Sequence, residues 1–342
     1  MRRKVTLQDI ARKADVGIAT VDRVLNGRAP VTKATADRVL SAARELGYHG
    51  QGAMQRRVEQ LVPHRRLGFI LQKKNKWFYQ ALADGVVRSA PDLKKIRATA
   101  EIRFVESLSP DDLAEALLAM ADKADAIAFV SIDHPKVHAA IQQCKKRAVP
   151  VFSLLSPLSS PDLAGYIGID GRKAGRTAGW AMARFSKQVG EIGILVGSHR
   201  YLGHEALEAG FRSALREYAP DVGLRDSLVY LDDAAVAYEA TLELLAAAPD
   251  LKGLYHCGGG VRGVLKALRE TKRNEEVFYI CHEKSPHVDE GLLDGSVDLS
   301  IANPVESTVA RSLAVMERVL SGKPAGFLNE IIDFQLITPE NV

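Results

Sequence analysis

The chain has 342 residues, 46% of them hydrophobic and 26% charged, with a mean hydropathy of -0.07. That length exceeds one ordinary domain, and that balance excludes disorder, collagen-like repeats and coiled coil. The net charge of +4 is unevenly spread: residues 1–66 hold 14 Lys and Arg against 6 Asp and Glu, and the other 276 hold 32 against 36. A head of net +8 on a body of net -4 implies a polyanion-binding module joined to one that binds no polyanion. The opening MRRKVTLQDIARKADVG is charged but lacks the apolar stretch of a secretory signal. No window of about 18 residues is continuously apolar, so no membrane span is expected. Three cysteines (Cys144, Cys257, Cys281) without a CxxC pair fit a reducing compartment. The expectation is a cytoplasmic protein.

The first 50 residues read as three short helices. Thr6 caps a helix over Leu7–Ala14, with Leu7, Ile10 and Ala11 on one side. A turn at Asp15–Gly17 leads to a second helix, about Ile18–Asn26, which Gly27 stops. A loop over Arg28–Val31 contains Pro30, and a third helix runs behind Thr32 to Leu46 with Ala36, Val39, Leu40 and Ala43 inward. This is the helix-turn-helix arrangement. Residues 51–66 read as a linker, with a short helix possible over Ala53–Leu61.

From Leu67 strand-like runs alternate with amphipathic helices. Strands are expected over 67–71, 103–106, 126–130, 150–154, 165–169, 191–197, 227–231, 253–257, 277–281 and 299–303. Helices between them include Pro110–Lys123, Gly171–Phe185, Leu207–Tyr218, Ala234–Ala247 and Val261–Lys272. Alternation of this kind means parallel sheets covered on both faces, and ten strands over this length suit two sheets. Ligands of such sheets sit beyond the carboxyl ends of the strands.

The stretch from Val5 to Tyr48, including Asp9-Ile10-Ala11, Ala19-Thr20-Val21, Arg23-Val24-Leu25-Asn26 and Leu46-Gly47-Tyr48, closely resembles the DNA-binding domain of the lactose-repressor (LacI/GalR) family. The resemblance implies a ligand-responsive regulator, most simply a repressor, that binds double-stranded operator DNA as a homodimer or tetramer. It puts Ile18 and Ala19 at the start of a recognition helix in the major groove, and Arg23 becomes the candidate for a bidentate guanine contact. Thr6, Thr20, Asn26, Thr32, Thr35 and Tyr48 are assigned to phosphates. Gly17 and Asp22 stand where the family commonly has Ser; Asp22 repels phosphate unless it faces a base amino group or pairs with Arg23. The family's hinge helix enters the minor groove through a Leu, a role open here to Leu61 or Met54, with an ordinary tether as the alternative.

Residues 67–342 resemble the same family's two-lobed, periplasmic-binding-protein-like effector domain, through Gly68-Phe69-Ile70, Gly168-Ile169-Asp170, Gly210-Phe211 and Asn303-Pro304. The fold class implied is an all-α head plus an α/β body of two parallel-sheet lobes. The chain is expected to cross between lobes near 168, 303 and 328, giving lobe 1 as about 67–168 and 303–327 and lobe 2 as 169–302 and 328–342. Such clefts bind sugars by stacking and by hydrogen bonds to hydroxyls. The ligand candidates are Asn75, Trp77 and Phe78 after the first strand, Asp133 and His134 after the third, Arg200 and His204 after EIGILVG, and Asn303. The alternatives are helix-packing core for Trp77 and Phe78 and a helix cap for Asp133. Leu207 and Ala302 stand where relatives usually place a ligand-binding Arg and Gln.

One motif points to another class. Gly258-Gly259-Gly260-Val261-Arg262-Gly263 satisfies GxGxxG after a strand, and Glu283 follows about 20 residues on, as in a dinucleotide fold. An NAD(P)-dependent oxidoreductase carrying a DNA-binding head is therefore the alternative. Against it, the unit lies late in the chain, and a Gly-rich turn such as that at Gly260 equally brings a sensor's ligand close to backbone. His256-Cys257 and Cys281-His282 end neighbouring strands, but alternation lets at most two of the four converge; His256 and His282 are taken as ligand hydrogen-bonders and no metal is expected. GxxxxGK[ST], GxSxG and HExxH are absent. Neither an enzyme nor a cofactor is expected.

Overall fold

A computed structural model describes residues 4–26, 31–60, 62–186, 190–322 and 326–342. Two compact units are present, Met1–Arg65 with Asp92–Arg97, and Arg66–Pro91 with Ala98–Val342.

In the first unit α1 (Leu7–Ala14) is opened by a capping box: the Asp9 backbone N–H donates to the Thr6 hydroxyl, and the Asp9 carboxylate accepts from the Thr6 backbone. Helix α2 (Ile18–Asn26) and α3 (Lys33–Glu45) follow, α3 capped by Thr32, whose side chain accepts from the Thr35 N–H. Their apolar sides meet in one core of Ile10, Val21, Val24, Ala36, Val39 and Leu40. Gly27, Pro30 and Leu61, assigned to a helix stop, a loop and a wedge, lie outside the described residues.

Three expectations fail here. Residues 51–66 are not a plain linker: α4 (Gln51–Gln60) packs Met54 and Val58 into the head core, and strand pairing begins from His64. Met54 is wholly buried, so its side chain is spent on that core and is not a minor-groove wedge. Tyr48, assigned to phosphate, is likewise a core residue at 8% exposure.

In the second unit one layer alternates β1 (His64–Gln72), α5 (Trp77–Ser89), β2 (Arg97–Val105), α6 (Pro110–Ala121), β3 (Ala126–Phe129), α7 (Pro135–Lys146), β4 (Val151–Leu154) and β5 (Gly165–Ile169). The other alternates α8 (Gly171–Phe185), β6 (Glu191–Val196), α9 (Leu202–Tyr218), β7 (Gly223–Val229), α10 (Ala234–Ala247), β8 (Leu251–Cys257), α11 (Val261–Glu270), β9 (Phe278–Cys281), α12 (Pro286–Leu293) and β10 (Leu299–Ala302). Helix α13 (Val305–Leu320), β11 (Leu328–Ile332) and β12 (Gln335–Ile337) complete the chain. The strand orders are β11-β5-β4-β3-β1-β2 and β12-β10-β9-β8-β6-β7. Central strands are buried on both faces, as β3, β4 and β5 are throughout, which is why they read as apolar runs.

The third crossing comes later than position 328. Strand β11 pairs in parallel with β5 of the first sheet, and only β12 joins the second, antiparallel to β10. The chain therefore changes lobe at residues 333–334, and 328–332 belong with lobe 1. Neither strand was anticipated: LNEII and QLI are short edge segments with exposed positions, and pairing rather than composition makes them strands. The edge strands β2 and β7 also begin earlier than expected, for the same reason.

Candidate functional site

Both sheets carry a topological switch at the same place. In the first, β1 sends the chain to β2 on one side and then to β3 on the other; in the second, β6 does so with β7 and β8. The loops leaving these strands open a crevice between the lobes. There lies a cavity of about 470 Å³, a size suited to a small metabolite. The lobes also touch around it: the Lys73 ammonium donates to the carbonyls of Leu231 (3.2 Å) and Asp232 (3.1 Å), the Gly203 N–H to Ser156 Oγ (3.1 Å), and the Asp133 N–H to the Arg200 carbonyl (2.9 Å).

Of the expected ligand residues, Trp77, Phe78, His204, His282, Glu283 and Asn303 line this cavity. Trp77 is 45% exposed and so is no core residue. Beside them stand residues that were not anticipated: Lys73, Lys76, Tyr79, Tyr166, Asp170, Arg172, Tyr201, Asp232 and Asn329. Five of the nine lie within four residues after a strand end, as Lys73 does in QKKNK and Asp232 in YLDD, so position alone was a usable signal for these. Asn329 gave none, because it enters through β11. Leu207 lines the cavity too, putting an apolar group where the resemblance led to an Arg.

The rest are placed elsewhere. Asn75 is exposed on the turn before α5. The Asp133 carboxylate is occupied by Ser159 N–H (2.9 Å), Ser159 Oγ (2.7 Å) and His138 Nε2 (2.6 Å). Burial raises its pKa, but these hydrogen bonds outweigh that and hold it below the usual carboxylate range. His134, not Asp133, caps α7, its Nδ1 accepting from the Lys136 N–H. Arg200 is exposed and gives the lobe contact only its carbonyl.

His256 is fully buried behind the cavity, with Nδ1 2.7 Å from the Tyr279 hydroxyl and its ring edge-on to Tyr230. His282 Nε2 lies 2.7 Å from the Tyr255 hydroxyl, leaving Nδ1 buried and unpartnered. Burial pushes both imidazoles down to about 3, so both are neutral. The pairing of His256 with Tyr279 and of His282 with Tyr255 shows the strand alternation that keeps the His–Cys pairs from converging.

The glycine turn is explained without a dinucleotide. It follows β8, the third strand of its sheet in chain order, whereas the fingerprint belongs to the first. Gly258 and Gly260 have φ of +117° and +97°, backbone that demands glycine. Gly260 caps α11 and does not line the cavity. At Gly263 an added Cβ would lie 1.9 Å from the Ala234 carbonyl oxygen, so this glycine serves the close approach of α10 and α11.

On the head, Gly17, Ile18, Ala19, Arg23 and Asn26 are exposed along one side of α2, Ile18 by 46%, with Thr20 and Asp22 half-buried beside them. Asp22 does not require Arg23 as a partner: its carboxylate accepts from Asn26 Nδ2 at 2.6 Å. Thr6 is held in its capping box, and the Thr32 and Thr35 hydroxyls lie 2.9 Å apart.

Residues 6–51 match the model of bacterial regulatory proteins of the lacI family, and residues 67–324 that of the periplasmic binding protein domain. The chain belongs to the lacI family of bacterial regulators, with a periplasmic-binding-protein body. Among similar proteins of this family, catabolite control protein A of Priestia megaterium is 25% identical over 88% of this chain and 81% of its own. The HTH-type transcriptional regulator GntR of Pseudomonas aeruginosa is 25% identical over 98% and 95%. The body shares its fold with a solute-binding protein of Agrobacterium vitis solved with bound D-fucose (TM-score 0.75, 18% identity, 81% of this chain and 96% of that one). This chain thus joins a lacI-family head to a body of the periplasmic-binding-protein fold. No helix among the described residues is long and apolar enough to cross a membrane.

Proposed function

We propose that this regulator binds operator DNA through the exposed side of α2 and answers to a small polar metabolite of the sugar class held between its lobes. The observation that carries this reading is the cavity at the facing switch points of two sheets, in a chain whose head is a lacI-family DNA-binding domain. Arg23 reads a base edge, while Thr20 and Asn26 set the register on phosphates. Trp77 and Phe78 offer aromatic faces to a sugar ring, and His282, Glu283 and Asn303 offer polar atoms to its hydroxyls. D-Fucose in the solute-binding protein of the same fold supports the ligand class. The protein is a cytoplasmic homodimer that performs no catalysis; ligand-driven lobe closure changes the half-site spacing its two heads accept.

The test is an operator selection from genomic fragments, repeated with the protein in a mixture of monosaccharides and polyols. Enrichment of a palindromic sequence whose recovery changes with the mixture is the expected result. Sequence-independent recovery in both conditions would refute the reading.

A further inference from the structure

Lys76 and Glu283 approach one another from opposite lobes and do not pair. Lys76 precedes α5 in the first lobe, Glu283 follows β9 in the second, and both line the cavity. Glu283 Oε2 is buried without a hydrogen-bond partner, as is Nδ1 of the adjacent, 8%-exposed His282. Among the described residues Lys76 enters no ion pair.

Between the two stands Gly259. A methyl group on its α carbon would lie 3.8 Å from Glu283 Oε2 and 4.0 Å from Lys76 Nζ, with no other atom within 4 Å beyond its chain neighbours. Gly258 and Gly260 are explained by their left-handed backbone, but Gly259 is not in that region. Its N–H is fixed on Asp232 Oδ1 at 2.9 Å, so the backbone is held and the space above it is left open by the missing side chain. A small ligand group resting against this bare α carbon lies between an ammonium on one side and a carboxylate oxygen on the other.

We propose that Lys76 and Glu283 together read one uncharged hydroxyl of the effector, so that the cleft takes a neutral polyhydroxylated ligand and rejects acids, phosphates and amines at that position. A hydroxyl satisfies both neighbours, accepting from the ammonium and donating to the carboxylate. A ligand carboxylate or phosphate would meet Glu283, and a ligand ammonium would meet Lys76, each as a like charge in the same confined space. Because the two readers sit on different lobes, the same hydroxyl favours the closed cleft. The inference rests on the reading of the cleft as the effector site.

The test is thermal shift followed by calorimetry on the full-length protein. The neutral probes are D-glucose, D-galactose, D-fucose, D-ribose, D-xylose and myo-inositol; the charged ones are D-glucuronate, D-glucose 6-phosphate, D-ribose 5-phosphate and D-glucosamine. A neutral compound is expected to bind, and its charged relatives on the order of 100-fold more weakly. Gly259→Ala should leave the melting temperature of the unliganded protein unchanged and weaken binding of that neutral compound on the order of 50-fold or more, since its methyl pushes the hydroxyl away from the bare α carbon it rests on. Glu283→Gln should weaken it on the order of 10-fold while leaving the unliganded protein as stable or more so, because a buried unpaired carboxylate is removed. Tighter binding of a charged probe than of its neutral relative overturns the charge rule and leaves the effector reading standing. Unchanged affinity in Gly259→Ala does the same to the proposed position. Silence from every probe overturns both.

Discussion

Two neutral, buried histidines make the body's stability depend on pH below about 6.5. His256 and His282 have folded pKa values near 3, against about 6.5 for an exposed imidazole. Between those values the unfolded chain binds more protons than the folded one, so stability is complete above about pH 6.5 and is lost as the pH falls. Each histidine removes about 1.4 kcal/mol per pH unit across that window, so lowering the pH from 6.5 to 5.0 costs about 2 kcal/mol apiece and about 4 kcal/mol together. Asp133, Glu208 and Asp294 have lowered pKa values, so the stability they supply is lost only at still lower pH. The two tryptophans, Trp77 and Trp180, both lie in the body, so their fluorescence follows its unfolding without interference from the head. Urea unfolding at pH 7.5, 6.0 and 5.0 should show the loss in wild type. His256→Phe should lower stability by about 1 kcal/mol above pH 6.5, for the lost bond to Tyr279, and reduce the slope below pH 6.5 by about 1.4 kcal/mol per unit, so that the variant overtakes wild type before pH 5.0. A slope in His256→Phe equal to that of wild type, with unchanged m-values, would refute the assignment of a buried neutral ring to this position.

Three further expectations concern other parts of the molecule. Gly263→Ala sets a helix-propensity gain of about 1 kcal/mol against a Cβ lodged 1.9 Å from the Ala234 carbonyl. The clash wins, and the melting temperature of the body should fall; a rise would show that α10 and α11 can part cheaply. Met54→Ala empties a fully buried site in the head and should cost about 2–5 kcal/mol, seen as earlier protease cleavage within residues 1–60 while tryptophan-detected unfolding of the body stays put. Arg23→Ala should weaken binding to the selected operator by about 1–3 kcal/mol and relax preference at one base pair; equal losses on random DNA would make Arg23 a phosphate contact instead.

The head was legible because its information is local. Thr6 with Asp9, the apolar spacing of Ile10 and Ala11, and Thr32 before Lys33 determine three helices over a few residues each, and the structure adds only their contacts. The same holds for β3, β4 and β5, whose burial on both faces writes an apolar run into the sequence. Met54 misled because scattered apolar residues in a basic, Gly-containing stretch carry no sign of the core that Met54 and Val58 fill. In the cleft, Trp77, His282 and Asn303 were placed from strand ends taken together with the resemblance to two-lobed binding domains. Lys76 was passed over because its meaning comes from Glu283, some 200 residues away and in the other lobe.

The sequence by itself determined a basic DNA-reading head, an alternating α/β body and the strand ends where a ligand would sit, since propensity, capping and periodicity act between near neighbours. Only the tertiary structure decided that 328–332 return to the first sheet, that His256 is sealed behind the cleft while His282 faces it, and that Lys76 and Glu283 flank a bare Gly259. Those outcomes depend on pairing and packing between segments far apart in the chain, and no local pattern encodes which distant partner will be there.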